Sequence, residues 1–318
     1  MKITVVGCGR WGSFIAWYLN KTGHEITSFG IRNDPTFEAF LTNKTNGIVT
    51  FGDDISLSCN PSESFYNADA VVISINSQNL RVFLSENGKY ISPDKIIILC
   101  MKGLEIETGK RLSEIVEEFL PENKTAVWVG PGHPQEFIEG RPNCMVIDSK
   151  NKDIVKELVF EFSGPLIRFY YGTDLIGNEV GAASKNVIGI AAGMLDGLSY
   201  SSLKGALMSR GTREIARLIK AMGGNEMTAY GLSHLGDYEA TVFSKFSHNR
   251  MFGETFVRGE KYSSLAEGYY TVKALMKLKD MYDVELPICE AVYNVVYNGA
   301  DISGTMAELF MRSVKNEF

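Results

Sequence analysis

Lys185 stands alone in a run of small and apolar residues, Gly177 to Gly193 (GNEVGAASKNVIGIAAG). On a helix, the residues three and four places from it are Gly181, Ala182, Ile188 and Gly189, none of which pairs with an ammonium, and Glu179 lies off that face. Glycine and alanine on nearly every side let other backbones approach, and an ammonium enclosed in that way loses hydration and releases its proton more readily. Such a lysine can act as a general acid; the other reading is a lysine whose head snorkels to water from a helix end. Lys102 directly follows the apolar run Ile96 to Met101. At the exit of a buried strand it is either a cation that meets an anionic or carbonyl group, or a structural lysine.

Local elements must place these groups. Lys2 to Val6 is a β-branched run, followed by Gly7-Cys8-Gly9-Arg10-Trp11-Gly12 and a helix-like stretch, Ser13 to Asn20. In a strand, turn, helix unit Gly7 permits the tight turn, Gly9 lets the backbone approach a pyrophosphate, and Gly12 lets the helix pack on the strand. A second strand, His24 to Phe29, follows at the spacing of a βαβ unit, which favours dinucleotide binding over a merely structural turn. Its end, Ser28-Phe29-Gly30-Ile31-Arg32, lacks the acid that would bind the ribose hydroxyls of NAD. Arg32 suits the 2′-phosphate of NADP, stacks on an adenine, or is simply solvated. Asp34-Pro35 and Asn60-Pro61, the latter with Glu63, read as helix caps.

Further strands over Ala70 to Ile75, Lys95 to Cys100, Ala126 to Val129 and Cys144 to Ile147 alternate with helical segments such as Thr108 to Phe119 and Asp153 to Phe162, the pattern of a parallel sheet wrapped by helices. One strand runs into Gly130-Pro131-Gly132-His133. After Ile167 to Tyr170 the strand signals stop, and helical segments follow near 202–222, 262–281 and 286–298. The expected organisation is α/β: a Rossmann-type doubly wound domain over 1–170, then an all-helical domain over 171–318. The second carries a polar cluster, Gly231 to Asp237 (GLSHLGD), Thr241 and Ser247-His248-Asn249-Arg250, which suits a small polyhydroxy phosphate or is a solvated loop.

The 318 residues are 45% hydrophobic and 22% charged, enough for roughly two domains. A net charge of -6 without a basic block argues against nucleic acid or an anionic membrane as partner. Five scattered cysteines without a CxxC pair point to reduced thiols in a cytoplasm and to no metal site, and no apolar run reaches the length of a membrane span.

Nine stretches carry a resemblance: GCGRWG at 7–12, INSQNLR at 75–81, KGLEIETGKRLSEI at 102–115, VGPGHPQEF at 129–137, NEVGAASKNVIGIAAGMLDGL at 178–198, ALMSRG at 206–211, GLSHLGD at 231–237, SHNRMFG at 247–253 and AEGYYTV at 266–272. In this order the sequence resembles the bacterial NAD(P)-dependent sn-glycerol-3-phosphate dehydrogenases over almost its whole length. The resemblance implies a C-terminal domain like that of 6-phosphogluconate dehydrogenase. It also implies reduction of dihydroxyacetone phosphate with NAD(P)H, a supply of glycerol 3-phosphate for glycerophospholipid synthesis, and a homodimer. By it Lys185 is the general acid/base, and Lys102 and Asp237 help to bind and polarise the substrate. Gly130, Gly132, Asn186, Thr241, Ser247, His248, Asn249 and Arg250 would lie around that substrate. Gly7, Gly9, Arg10, Trp11, Gly12, Arg32, Lys102, Pro134, His248 and Glu267 would touch the cofactor.

The sequence departs from the family at one end of the site. His248 stands where the family has arginine, Gly132 where a serine or similar residue is usual, Pro134 where a small residue is usual, and His234 where the loop has glycine; Tyr200 to Leu203 replace a GDN-like turn before Lys204. Histidine is shorter than arginine and only partly charged at neutral pH, which leaves the phosphate to Arg250 or Arg210. Two alternatives follow: a related dehydrogenase for another small hydroxy or keto compound, and a nucleotide-binding regulator without catalysis, against which the retained lysines and Asp237 argue.

Overall fold

Ala70 to Ile73 and Ile96 to Leu99 are short runs of Ala, Val, Ile and Leu, and every one of their side chains is buried, as happens when both faces of a parallel sheet are covered. They are two of eight strands in the computed structural model, which describes residues 1–311: β1 (Lys2–Val6), β2 (Glu25–Phe29), β3 (Ile55–Ser58), β4 (Ala70–Ile73), β5 (Ile96–Leu99), β6 (Thr125–Val129), β7 (Asn143–Ser149) and β8 (Ile167–Tyr171). They form one sheet in the order β3-β2-β1-β4-β5-β6-β7-β8. The chain steps outward from β1 to β3, then resumes on the other side of β1 with β4, so the turn after β1 lies at the point where the strand order reverses and ligands bind. Helices α1 (Arg10–Lys21), α2 (Pro35–Asn43), α3 (Pro61–Tyr66), α4 (Leu80–Asn87), α5 (Leu112–Phe119), α6 (Pro134–Ile138) and α7 (Lys152–Phe162) connect the strands. Trp128 anchors the core with Tyr18, Phe162 and Phe169 around its ring, and its indole N–H meets the Met145 sulfur at 3.0 Å.

The structure corrects the expected elements in four places. β7 runs antiparallel to β6, whereas the other neighbours are parallel; a parallel return needs a full crossover, and α6 has only 5 residues. β3 was not expected, its four residues following Asp53-Asp54 being too short a signal. Asp34 caps α2 through the Thr36 and Phe37 amides, but Asn60 makes no side-chain cap on α3. The helix expected from Thr108 starts at Leu112, because Gly109 has a φ of 75° and interrupts it.

Met1–Lys102 and Lys110–Glu179 form one compact unit; Gly103–Gly109 and the chain from Val180 onward form another. The helices of the latter part of the chain are α8 (Leu175–Gly197), α9 (Lys204–Ala221), α10 (His248–Val257), α11 (Glu267–Tyr282), α12 (Pro287–Asn298) and α13 (Ile302–Phe310). The first residues of α8 count with the sheet, where Glu179 pairs with Arg111 at 2.6 Å. From Val180 to Leu195 α8 is buried all round, as an apolar core helix must be. Glycines on both sides let backbones meet: a Cβ on Gly193 of α8 would strike the Arg250 carbonyl, and one on Gly253 of α10 or Gly268 of α11 would strike the α8 carbonyls of Ile190 or Asn186.

Candidate active site

The turn after β1 separates the work of its three glycines. Gly7 has a φ of 102°, and its amide donates to the Phe29 carbonyl at 3.0 Å. A Cβ on Gly12 would run into the Gly7 carbonyl, so helix and turn meet there without side chains between them. Gly9 caps α1 with no side-chain bond, and a Cβ on it would meet nothing within 4 Å. Open space over uncapped helix amides at the positive end of a 12-residue helix, with no acid in its first turn, fits the pyrophosphate of a dinucleotide. The Trp11 indole N–H, beside this turn, is buried with no hydrogen-bond partner among the described residues. Arg10 and Arg32 are exposed, and Asp34, the nearest carboxylate after β2, is spent on capping α2.

Lys102 is half-buried just beyond β5. Its Nζ donates to the Gly130 carbonyl at 2.7 Å and lies 5.8 Å from the centre of the Trp11 ring. Gly130 and Gly132 follow β6 with φ of 136° and 142°, and a Cβ on Gly132 would enter the Phe137 ring. That ring gives a physical reason for glycine where a serine was the family expectation. Pro134 is buried as the first residue of α6.

In the helical unit Lys185 is buried, and its charge is paired from a distant part of the chain. Nζ lies 2.7 Å from the Asp237 carboxylate and donates to the Thr241 hydroxyl at 2.7 Å, while that hydroxyl donates to the Asp237 carbonyl at 2.7 Å. Asp237 ends a short 3-10 turn, Leu235–Asp237, and Thr241 sits in a π-helical turn, Glu239–Phe243. Neither snorkelling nor isolation describes Lys185: a burial cost of several kcal/mol for the ammonium is offset by a carboxylate in direct contact.

Asn186 and Asn249 are joined, the Asn249 amide donating to Asn186 Oδ1 at 3.0 Å and its Oδ1 accepting the Gly268 amide at 2.9 Å. Glu267, half-buried, is the first residue of α11 beside that bond. Ser247 caps α10 by accepting the Arg250 amide, and His248 opens the helix with Nδ1 against the Tyr262 hydroxyl. Arg250 has a different setting from the one expected of a phosphate grip. Its guanidinium donates to Asp196 at 3.0 Å, to Glu254 at 2.7 Å and to the Ser244 carbonyl at 3.2 Å, and Lys204 joins Asp196 at 2.5 Å. Glu254, four residues after Arg250, was a visible signal for this pairing. His234 is fully buried with both ring nitrogens bonded, and burial pushes its pKa down to about 4, so it is neutral. Sequence reasoning noted it as a departure within the polar cluster at 231–237, and missed Tyr238 and Tyr262. Among the described residues no His, Cys, Asp and Glu side chains gather to hold a metal ion, and no helix is long and apolar enough to cross a membrane.

Comparison with known proteins bears on both units. Two family models match, NAD-dependent glycerol-3-phosphate dehydrogenase N-terminus over residues 2–155 and C-terminus over residues 174–307. A glycerol-3-phosphate dehydrogenase (NAD(P)+) of Fusobacterium nucleatum is 36% identical over 330 residues, covering 100% of this chain and 98% of its own. One from a Thermotoga species is 36% identical over 326 residues, with 100% and 99% covered. The crystal structure of glycerol-3-phosphate dehydrogenase from Coxiella burnetii has a TM-score of 0.92 at 26% identity, covering 98% of this chain and 99% of that one.

Proposed function

The chain belongs to the NAD-dependent glycerol-3-phosphate dehydrogenase family, as an oxidoreductase that interconverts dihydroxyacetone phosphate and sn-glycerol 3-phosphate with NAD or NADP, and on that premise we propose that Lys185 is its general acid and base. The observation that carries the proposal is the buried group of Lys185, Asp237 and Thr241. The nicotinamide cofactor supplies or takes the hydride. As the ketone is reduced, Lys185 Nζ gives its proton to the carbonyl oxygen, and the amine left behind regains a proton from solvent. Asp237 keeps the ammonium charged until that moment, and the Thr241 hydroxyl, committed to the Asp237 carbonyl, accepts an Nζ hydrogen and fixes the direction of the lysine.

Asn186, Ser247, His248 and Asn249 bind the substrate in this reading, supported by the Asn186 to Asn249 bond and by the N-terminus of α10. Gly7, Gly9, Trp11, Gly12 and Arg32 bind the cofactor, and Lys102 adds a positive charge beside the glycine turn. The enzyme works in the cytoplasm as a homodimer and supplies glycerol 3-phosphate for glycerophospholipid synthesis. A second reading, a different small hydroxy or keto compound as substrate, is favoured by His248 in place of an arginine and by the commitment of Arg250 to Asp196 and Glu254. The deciding experiment follows NADH and NADPH oxidation across a series of dihydroxyacetone phosphate concentrations. The expected outcome is saturation within the usual KM range of about 1 μM to 1 mM, and a loss of about 10²- to 10⁴-fold in kcat on Lys185→Ala. Near wild-type turnover in that variant would refute the role of Lys185, and absence of saturation would favour the second reading.

A further inference from the structure

His234 is buried where the loop that carries Asp237 packs on α8, which carries Lys185. Its Nδ1 lies 2.8 Å from the Gly181 carbonyl on α8, and a carbonyl only accepts, so Nδ1 carries the ring hydrogen. Nε2 then has a lone pair and accepts the Tyr238 hydroxyl at 2.7 Å. Gly181 is one helical turn before Lys185, and His234 is three residues before Asp237. The loop between is short and internally bonded: the Asp237 amide donates to the His234 carbonyl at 3.0 Å, and the Gly236 amide to the Gly231 carbonyl at 2.9 Å. Anchoring the imidazole therefore anchors the Asp237 backbone.

Gly181 makes the close approach possible. A Cβ there would lie 3.1 Å from the His234 Cβ and 3.4 Å from the Ser233 hydroxyl, so even a methyl group would ask the loop to give by a few tenths of an ångström. We propose that His234 is a positioning residue, whose bond to Gly181 sets where the Asp237 carboxylate meets Lys185. The inference rests on the role given to Lys185 above. The charged groups that act on the ring are Lys185 on α8 and Asp237 on its own loop. A protonated ring would set a second cation near Lys185 and lose the bond from Tyr238. Burial, with Lys185 adding to it, keeps the ring neutral at working pH.

The test compares His234→Asn with His234→Gln. The asparagine amide can occupy the place of Nδ1 and keep the bond to Gly181; the glutamine amide reaches the place of Nε2 and loses it. The readout is the pKa of Lys185, measured without turnover from the pH dependence of its labelling by acetic anhydride, with mass spectrometry of the Lys185 peptide. A carboxylate in contact holds an ammonium protonated, so loosening Asp237 should move the titration down by about one pH unit in His234→Gln, with little movement in His234→Asn. The alkaline limb of kcat for dihydroxyacetone phosphate should move with it, while the KM for NADH stays put. A purely structural histidine would lower the yield of folded protein and leave both titrations where they are. Unshifted titrations in both variants, or equal shifts in both, overturn the proposal. If neither variant folds, Gly181→Ala takes their place, with the same downward shift expected and an unshifted titration refuting it. A wild type that labels as described but reduces no dihydroxyacetone phosphate would instead count against the assigned reaction.

Discussion

Asp237→Ala would take the contacting carboxylate away from the buried Lys185 ammonium, and the cost can be worked from the geometry. At 2.7 Å the pair attract by about 6 kcal/mol for an effective dielectric of about 20. The variant does not lose that much, because lysine has an escape: it can shed its proton. With an ordinary lysine pKa near 10.4, holding the amine neutral at pH 7 costs about 1.36 kcal/mol for each of roughly 3.4 pH units, about 4.6 kcal/mol, and this is the ceiling. The expected loss at pH 7 is therefore about 3 to 4.6 kcal/mol, in line with other broken buried pairs. The escape gives the loss a signature. In the variant the folded state binds fewer protons than the unfolded state, so stability must rise with pH, by up to about 1.36 kcal/mol per unit. The deficit relative to wild type should shrink to about 2 kcal/mol at pH 9. Urea denaturation of wild type, Asp237→Ala, Lys185→Met and the double variant at pH 7 and pH 9 measures it. A deficit that does not change between the two pH values, or that is equally large in the Lys185→Met background, would refute the reasoning.

Two further predictions concern groups away from that pair. Gly9→Val places its side chain in open space without backbone strain, so the melting temperature should hold while the Kd for NADH rises at least about tenfold, whereas Gly12→Ala should lower the melting temperature by forcing its Cβ into the Gly7 carbonyl. Calorimetry that finds normal NADH binding in Gly9→Val would remove the glycine turn from the cofactor site. Glu214 is buried, accepts the Ile288 and Cys289 amides at the start of α12, and has its pKa raised by burial from 4.5 to about 7. A raised carboxylate pKa means that the folded state holds the proton more tightly, so its stabilising effect is complete below pH 4.5 and is lost as pH rises through 7, by on the order of 3 kcal/mol. Glu214→Gln should flatten the stability profile between pH 4.5 and 7, and an unchanged slope would show that another group sets it.

What the sequence disclosed and what it withheld divide along the range of the interactions. The glycine turn was legible because Gly7, Gly9 and Gly12 act within one strand, turn and helix, and the structure gives Gly7 and Gly12 separate steric reasons while Gly9 faces open space. The strands of the sheet were mostly legible from apolar runs. The reversed direction of β7 was not, because direction depends on the connection, and the shortness of α6 was the only sign. Lys185 was legible as an anomaly, a charge among small residues, but its pairing with Asp237 was not a matter of spacing, since the two meet only after α8 and the 231–238 loop are packed together.

Arg250 and His234 show the same rule from the opposite side. In sequence Arg250 was one of two arginines left for the phosphate, with Arg210, and the structure commits it to Asp196 and Glu254. His234 belonged in sequence to a polar cluster suited to a ligand, and the structure spends both its nitrogens on Gly181 and Tyr238. A polar residue type states which bonds a side chain can make, and burial with named partners decides which remain to be made with a ligand. By that criterion the substitutions at His234 and His248 have different consequences. On the proposals made above, His234 acts on the reaction through the position of Asp237, whereas His248, half-buried at the first turn of α10 with Nδ1 against the Tyr262 hydroxyl, is the substitution assigned to the substrate.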